Sequence, residues 1–273
     1  MKKFLSVLLA LGLAVSATAC AGGASSSSEA ASSEPEATPA AESEAATSEA
    51  AAATGEVMTY DEYMAAAVDE AVTIESCVQA KQSYYAEQGT ATVYLQDEDG
   101  AYFAYDMACT QEEYDAMTEG TRIRVSGYKA EWSGEIEIMD GQLDEILEGD
   151  TYVAEPLDVT ELLGTDELES HQNQKVKFTG LTVAPSTIDG DTTEYAFLYN
   201  YDGSGTQGDD VYFNVEYNGE KYQFLVESYL CDSSTDVYKA VEALEIGQTI
   251  DCEGFLYWYE GVNPHITSVT VAG

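Results

Sequence analysis

GTRIRVSGYKAEWSG (120–134) and GQTIDCEGFLYWYEG (247–261) differ in almost every side chain, yet their glycines keep one spacing. Gly120, Gly127 and Gly134 lie seven residues apart, and Gly247, Gly254 and Gly261 each follow their counterpart by 127 positions. Glycine is the residue the backbone needs for a left-handed turn or a close approach of strands. What is repeated is therefore a backbone path, and the chain reads as two copies of one unit.

Working outward, both copies show the same succession of periodicities. TYDEYMAAAVDEA (59–71), with Thr59 and Glu62 at capping-box spacing, and DVTELLGTDELES (158–170) predict a short helix before each unit. AVTIESCVQA (71–80) and KVKFTGLTVA (175–184) then alternate apolar and polar residues as a first strand. In the first copy TATVYLQ (90–96) and AYFAYDMAC (101–109) follow around an Asp99-Gly100 turn. In the second, EYAFLYN (194–200), VYFNVEY (211–217) and KYQFLVESYL (221–230) correspond, with a turn at Asn218-Gly219.

Period two then gives way to a helix in both halves, TQEEYDAMTEG (110–120) and SSTDVYKAVEALEIG (233–247), each ending on glycine. RIRVSGYKAEW with EIEIMDGQLDEI, and TIDCEGFLYWY with PHITSVTVA, supply the last two strands. The order β-β-β-α-β-β resembles the OB-fold, a five-stranded barrel with a helix between strands three and four. The predicted fold class is mainly β with short helices: two tandem OB-like barrels, each preceded by a short helix. TYDEYMAAAVDEAVTIESCVQAKQS, DGAYFAYDMAC and GYKAEWSGEIEIMD also resemble tandem OB-type surface lipoproteins of Gram-positive bacteria. That resemblance implies a fold and a cellular address and brings no catalytic residues.

The N-terminus points to the same address. Lys2 and Lys3, an apolar run from Phe4 to Val15, and Ala17-Thr18-Ala19 before Cys20 form a three-part export signal. The run is too short to span a bilayer. Small residues directly before Cys20 resemble the bacterial lipoprotein box, which implies a signal at 1–19, lipidation of Cys20 and a membrane partner through that anchor. Residues 20–56 form a tether rich in Ala, Ser and Glu without an aromatic side chain, unable to bury a core. As a flexible coil it would reach roughly 30–35 Å. The two units then occupy 57–153 and 154–273.

Net charge is −41, and loss of Lys2 and Lys3 with the signal makes it −43. So few basic residues lead to the expectation of no nucleic acid partner, since such binding draws on Lys and Arg. Cys77, Cys109, Cys231 and Cys252 fall two per half, and buried thiols and one disulfide per half are equally compatible with their flanks. No cofactor or metal motif is present. QDEDG (96–100) and DGSGTQGDD (202–210) offer oxygen ligands suited to Ca2+, without the spacing of a calcium loop, and Asp-Gly turns account for both.

Ligands of an OB barrel are expected on the strand 2–3 face, between the 1–2 and 4–5 loops. In the first unit these loops carry Tyr84, Tyr85 and Trp132; in the second the 4–5 tip carries Tyr257, Trp258 and Tyr259, and APSTIDGDTTE (184–194) has no aromatic. Flat amphipathic rings stack on sugars or aromatic groups at little entropic cost, so these six residues form the candidate site and the first unit the better half of it. Lys81, Arg122, Arg124 and Lys129 are read as offsetting nearby carboxylates. No nucleophile or acid–base motif stands out, and His171 and His265 do not match between copies. The expected function is a lipid-anchored, extracytoplasmic, non-enzymatic module binding an oligosaccharide or protein. A structural component of the envelope is the alternative, and a carboxylate-dependent hydrolase comes third.

Overall fold

The structure is a computed structural model and describes residues 55–272; the export signal expected at 1–19, Cys20 and most of the expected tether lie outside the described residues. Helix α1 (Tyr60–Ala65) leads into β1 (Ala71–Lys81), β2 (Thr90–Gln96) and β3 (Ala101–Ala108). Helix α2 (Gln111–Ala116), β4 (Arg122–Trp132) and β5 (Glu135–Ile146) complete the first unit. The strands close in the order β1-β2-β3-β5-β4, with β1 pairing β4 from Ala71 against Tyr128 to Cys77 against Arg122.

The second unit repeats this circuit. After β6 (Leu157–Asp158) come β7 (Lys175–Ala184), β8 (Leu198–Tyr199), β9 (Val211–Tyr217) and β10 (Glu220–Val226). Helix α3 (Asp236–Glu242), β11 (Thr249–Phe255) and β12 (His265–Val271) follow. The ring runs β7-β11-β12-β10-β9 and closes where Thr182–Ala184 pair with Asn214–Glu216. In both rings the third and fifth strands meet in parallel, through Ala104 against Ile138 and through Leu225 against His265. Two closed five-stranded barrels of OB type are thus present.

The repeated glycines do equivalent work. The Gly120 and Gly247 amides each donate to a first-strand carbonyl of their own barrel, Val78 and Val183, with φ of +84° and +88°. Gly127 pairs with Val72 and Gly254 with Val176, each beside an irregularity in the fourth strand. A Cβ on Gly127 would lie 2.6 Å from Ile138 Cγ2; one on Gly254 would run into the His265 carbonyl and sit 2.8 Å from Ile266 Cα. Gly134 and Gly261 turn with φ of +94° and +143°.

Alternating residues fill each barrel. Val72, Ile74, Val93, Leu95, Met107, Val125 and Ile138 pack in the first, plugged by Met117 just after α2. Phe178, Phe213, Phe224, Ile250 and Ile266 pack in the second, plugged by Val237, Tyr238 and Val241 of α3. Each fully buried side chain of this size contributes roughly 1.5–3 kcal/mol. Capping boxes start α1 at Thr59–Glu62 and α2 at Thr110–Glu113.

Three stretches differ from expectation. The helix predicted over 158–170 is a pair of 3-10 turns, Thr160–Leu162 and Asp166–His171, divided by Gly164 at φ +81°. EYAFLYN contributes only β8, because β7 and β10 already occupy most of both edges of β9 and leave it Tyr212 and Val211 alone. FLYWY leaves the sheet after Phe255, so Tyr257, Trp258 and Tyr259 belong to a loop. Cys77, Cys109, Cys231 and Cys252 are free thiols.

Candidate ligand-binding cleft between the barrels

The two barrels form one compact body. Tyr94, Phe103 and Phe255 make a buried cluster across the junction, with Tyr94 and Phe255 stacked at 4.5 Å. Polar contacts fix the register. Gln96 Oε1 accepts the Lys175 amide at 2.7 Å, Gln172 donates to Gly134 O at 2.7 Å, and Asn173 donates to Ile136 O at 3.0 Å. The two quoted stretches meet here: the Glu260 amide donates to Ser133 O at 2.8 Å, and Trp258 packs where a Gly134 side chain would stand.

Beside this junction opens a cleft of about 980 Å³. The first barrel supplies Gln82–Tyr85 from its 1–2 loop, Thr92 of β2, and Phe103, Tyr105 and Asp106 of β3. The second supplies Tyr212 of β9, Gln223 and Leu225 of β10, then Glu227 and Tyr229. Tyr201 from the β8–β9 connection, Tyr257, Tyr259 and Asn263 from the β11–β12 loop, and His265 complete the wall. The strand 2–3 faces of both barrels thus look onto one space, and no Lys or Arg is among its lining residues.

Of the six residues singled out in the sequence, the cleft gathers Tyr84, Tyr85, Tyr257 and Tyr259. Trp132 stands 58% exposed at the β4–β5 tip and is not in the lining. Trp258 is half-buried against the second core, its amide donating to Glu135 Oε2 at 2.8 Å. The placement also moves weight from the first unit to the second. Tyr201, Tyr212 and Tyr229 make the second barrel an equal or larger wall, and Tyr201 lies in the 1–2 connection beyond the aromatic-free 184–194.

Glu227 was missed as well, although it follows Phe224-Leu225-Val226, where a strand core ends on a charge. It is buried, and its carboxylate accepts the Leu230 amide at 2.8 Å and the Tyr229 amide at 3.3 Å. Burial and the neighbouring Asp210 push it up to about 7. His265 is held neutral, its value lowered by burial to about 3, and shares a 2.5 Å hydrogen bond with the Tyr94 hydroxyl while stacking on Tyr257 at 4.3 Å. Beneath the cleft Glu135 and Glu137 are buried and raised to about 8 and about 7. Glu135 Oε1 and Asn173 Oδ1 are both buried acceptors without a donor.

The basic residues are spent elsewhere. Arg122 grips Asp97 through two 2.8 Å bonds, and Arg124 bridges Glu75 at 2.7 Å and Glu145 at 2.9 Å. Lys129 donates to the carbonyls of Met64 and Ala66 at the end of α1, and Lys81 to that of Tyr114. The aspartates weighed for Ca2+ are likewise engaged: Asp202 accepts the Ser204 amide, Asp209 that of Thr206 and Asp210 that of Ser228. Among the described residues no group of three or more His, Cys, Asp or Glu is placed to hold a metal.

No family model and no curated protein matches the chain. Several solved structures do, at low similarity. A murine DNA-binding protein bound to double-stranded DNA is 13% identical, with 73% of this chain and 97% of that one covered, at a TM-score of 0.34. The Ifi202 HINa domain in complex with 20-base-pair double-stranded DNA is 12% identical over 75% of this chain and 96% of that one, at 0.32. A replication protein A heterotrimer bound to single-stranded DNA is 12% identical over 74% of this chain at 0.29, and 49% of that chain is covered. These neighbours, solved with DNA, correct the expectation of no nucleic acid partner, and the exclusion does not stand. Net charge summed over the whole chain was too coarse a quantity to support it. At these TM-scores the likeness does not choose a ligand for this chain.

Proposed function

We propose that this chain is a lipid-anchored, extracytoplasmic binding protein without enzymatic activity, and that its ligand is an oligosaccharide held in the cleft between the barrels. The observation that carries the reading is the lining: eight tyrosines, Tyr84, Tyr85, Tyr105, Tyr201, Tyr212, Tyr229, Tyr257 and Tyr259, interleaved with the amides of Gln82, Gln223 and Asn263. Tyrosine faces stack on sugar rings, while hydroxyl and amide groups satisfy the hydroxyls around them. The volume is that of an ordinary small-ligand site. The export signal and Cys20 support the address, and the tether would hold the barrels clear of the bilayer.

A glycan array carrying single-stranded DNA spots tests the ligand. The protein is expected to retain on oligosaccharides, and a Tyr201→Ala/Tyr229→Ala variant to lose that retention. Retention on DNA alone, lost in the same variant, would replace the sugar with nucleic acid. Retention unchanged in the variant would remove the cleft from the reading. Labelled palmitate incorporated by the wild type and not by Cys20→Ser tests the anchor.

A further inference from the structure

We propose that the ligand of the cleft bears a protonated amine, seated on Glu227 and enclosed by tyrosine faces, so that the sugar recognised is an oligomer with free amino groups. This rests on the oligosaccharide reading and names the class of sugar.

Glu227 is 8% exposed yet lines the cleft. Two backbone amides orient its oxygens, but among the described residues no Lys or Arg pairs with it. A carboxyl taken out of water without a counter-ion keeps its proton longer, and an arriving cation favours the ionised form. Nothing in the wall can supply that cation. The lining has no basic residue other than His265, which burial keeps neutral. Asp210, adjoining Glu227, adds negative potential and has its Oδ1 taken by the Ser228 amide and hydroxyl at 2.8 and 2.7 Å.

Tyrosines of the same cleft suit the same guest. Tyr201 and Tyr229 line it with 69% and 67% of their surface exposed. Tyr201 meets Tyr212 edge-on at 6.3 Å, and both line the cleft. An ammonium is attracted to such faces and an uncharged amide is not. On the opposite wall Asp106 offers a second carboxylate. Its backbone is held at φ +45°, with its amide donating to Thr92 Oγ1 at 3.1 Å. A ligand with amines on successive rings could meet carboxylates on both walls.

The test compares a β-1,4-linked glucosamine tetramer with its fully N-acetylated counterpart by calorimetry on the full chain. The glucosamine tetramer is expected to bind about tenfold more tightly. In Glu227→Gln, which keeps the side chain's shape, that preference should fall to parity, with far-ultraviolet circular dichroism confirming the fold. Equal binding of both sugars to the wild type overturns the amine and leaves the oligosaccharide reading standing. A preference that survives Glu227→Gln overturns the seat. Binding of neither sugar, by a protein whose dichroism shows it folded, defeats the oligosaccharide reading and this inference with it.

Discussion

The two barrels are closed by the same devices and finished differently. In the first, β4 and β5 run for 11 and 12 residues and meet at a tight turn beneath Trp132. In the second, β11 and β12 stop at 7 residues each, and the chain between them becomes the loop of Tyr257, Tyr259 and Asn263. The 1–2 connections diverge in the same sense, from 82–89 in the first barrel to 185–210 in the second. Closure is a backbone requirement that both copies must meet, so it survives where side chains diverge. The loops carry no such requirement, and they are where the second barrel acquired most of the cleft wall.

The comparison breaks hardest at the fourth-strand glycines. A methyl on Gly254 collides with the His265 backbone, which is also the strand start that stacks on Tyr257. A methyl on Gly127 meets the Ile138 side chain at 2.6 Å, and its nearest backbone atom, the Met139 carbonyl oxygen, stands farther off at 2.9 Å. Gly254→Ala is expected to cost about 3 kcal/mol and Gly127→Ala about 1–2 kcal/mol, the range of overpacking. Urea unfolding of both variants checks the ranking, and equal losses would show that the two bends are interchangeable.

That asymmetry was not legible in the sequence, although the glycine register was. Repeats of backbone demand are written directly in glycine positions, and alternation marks the strands, so barrel number and strand order could be read. The cleft could not, because it is made by two surfaces brought face to face. Tyr84 and Tyr85 were visible as loop aromatics. Tyr201 and Tyr229, with Glu227 between apolar strand and loop, acquire meaning only when β9 and β10 turn toward β3. Trp132 shows the converse: an aromatic at the expected loop tip that points away from the shared space.

A second way to sharpen the contrast is pH. Glu135 and Glu137 of the first barrel and Glu227 of the second are buried with raised values, against 4.5 for an ordinary glutamate. The fold then holds protons that the unfolded chain has released, so stability falls as pH rises from about 4.5 towards 8. His265 acts in the opposite sense: the unfolded imidazole gains a proton below 6.5 that the fold refuses down to about 3. Three carboxyls outweigh one imidazole, and the melting temperature should be higher at pH 5 than at pH 8. Glu135→Gln removes the titrating carboxyl and should recover about 4 kcal/mol at pH 8, the rise from 4.5 to about 8 taken at about 1.4 kcal/mol per pKa unit. If melting is as pH-dependent in that variant as in the wild type, the junction carboxyl is not the group responsible.

Ligand binding separates the cleft from the tip. Tyr201→Ala and Tyr229→Ala should each weaken oligosaccharide affinity about tenfold, or roughly 1.4 kcal/mol. Trp132→Ala should leave it unchanged, since that ring lies outside the lining. Calorimetry with one sugar across the three variants decides the point. A loss confined to Trp132→Ala would return the site to the first barrel's loop tip.

The smallest difference lies in the helix between strands three and four. At α2 the Thr110 hydroxyl accepts the Glu113 amide at 3.2 Å while the Glu113 carboxylate accepts the Thr110 amide at 2.7 Å. At α3 the Thr235 hydroxyl accepts the Tyr238 amide at 3.4 Å and donates to the Asp232 carbonyl at 2.7 Å, and no side chain returns a bond to the Thr235 amide, which donates to Asp232 O at 2.9 Å. Yet α3 is anchored by Val237, Tyr238 and Val241 in the core, whereas no residue of α2 itself is buried. The helix with less packing thus has the better cap, so Thr110→Ala should cost about 1 kcal/mol and Thr235→Ala about 0.5 kcal/mol. Hydrogen exchange of the two helices reads the difference directly. Protection should drop locally across 111–117 in Thr110→Ala and remain near the wild-type level across 236–243 in Thr235→Ala, because there the core holds what the cap does not.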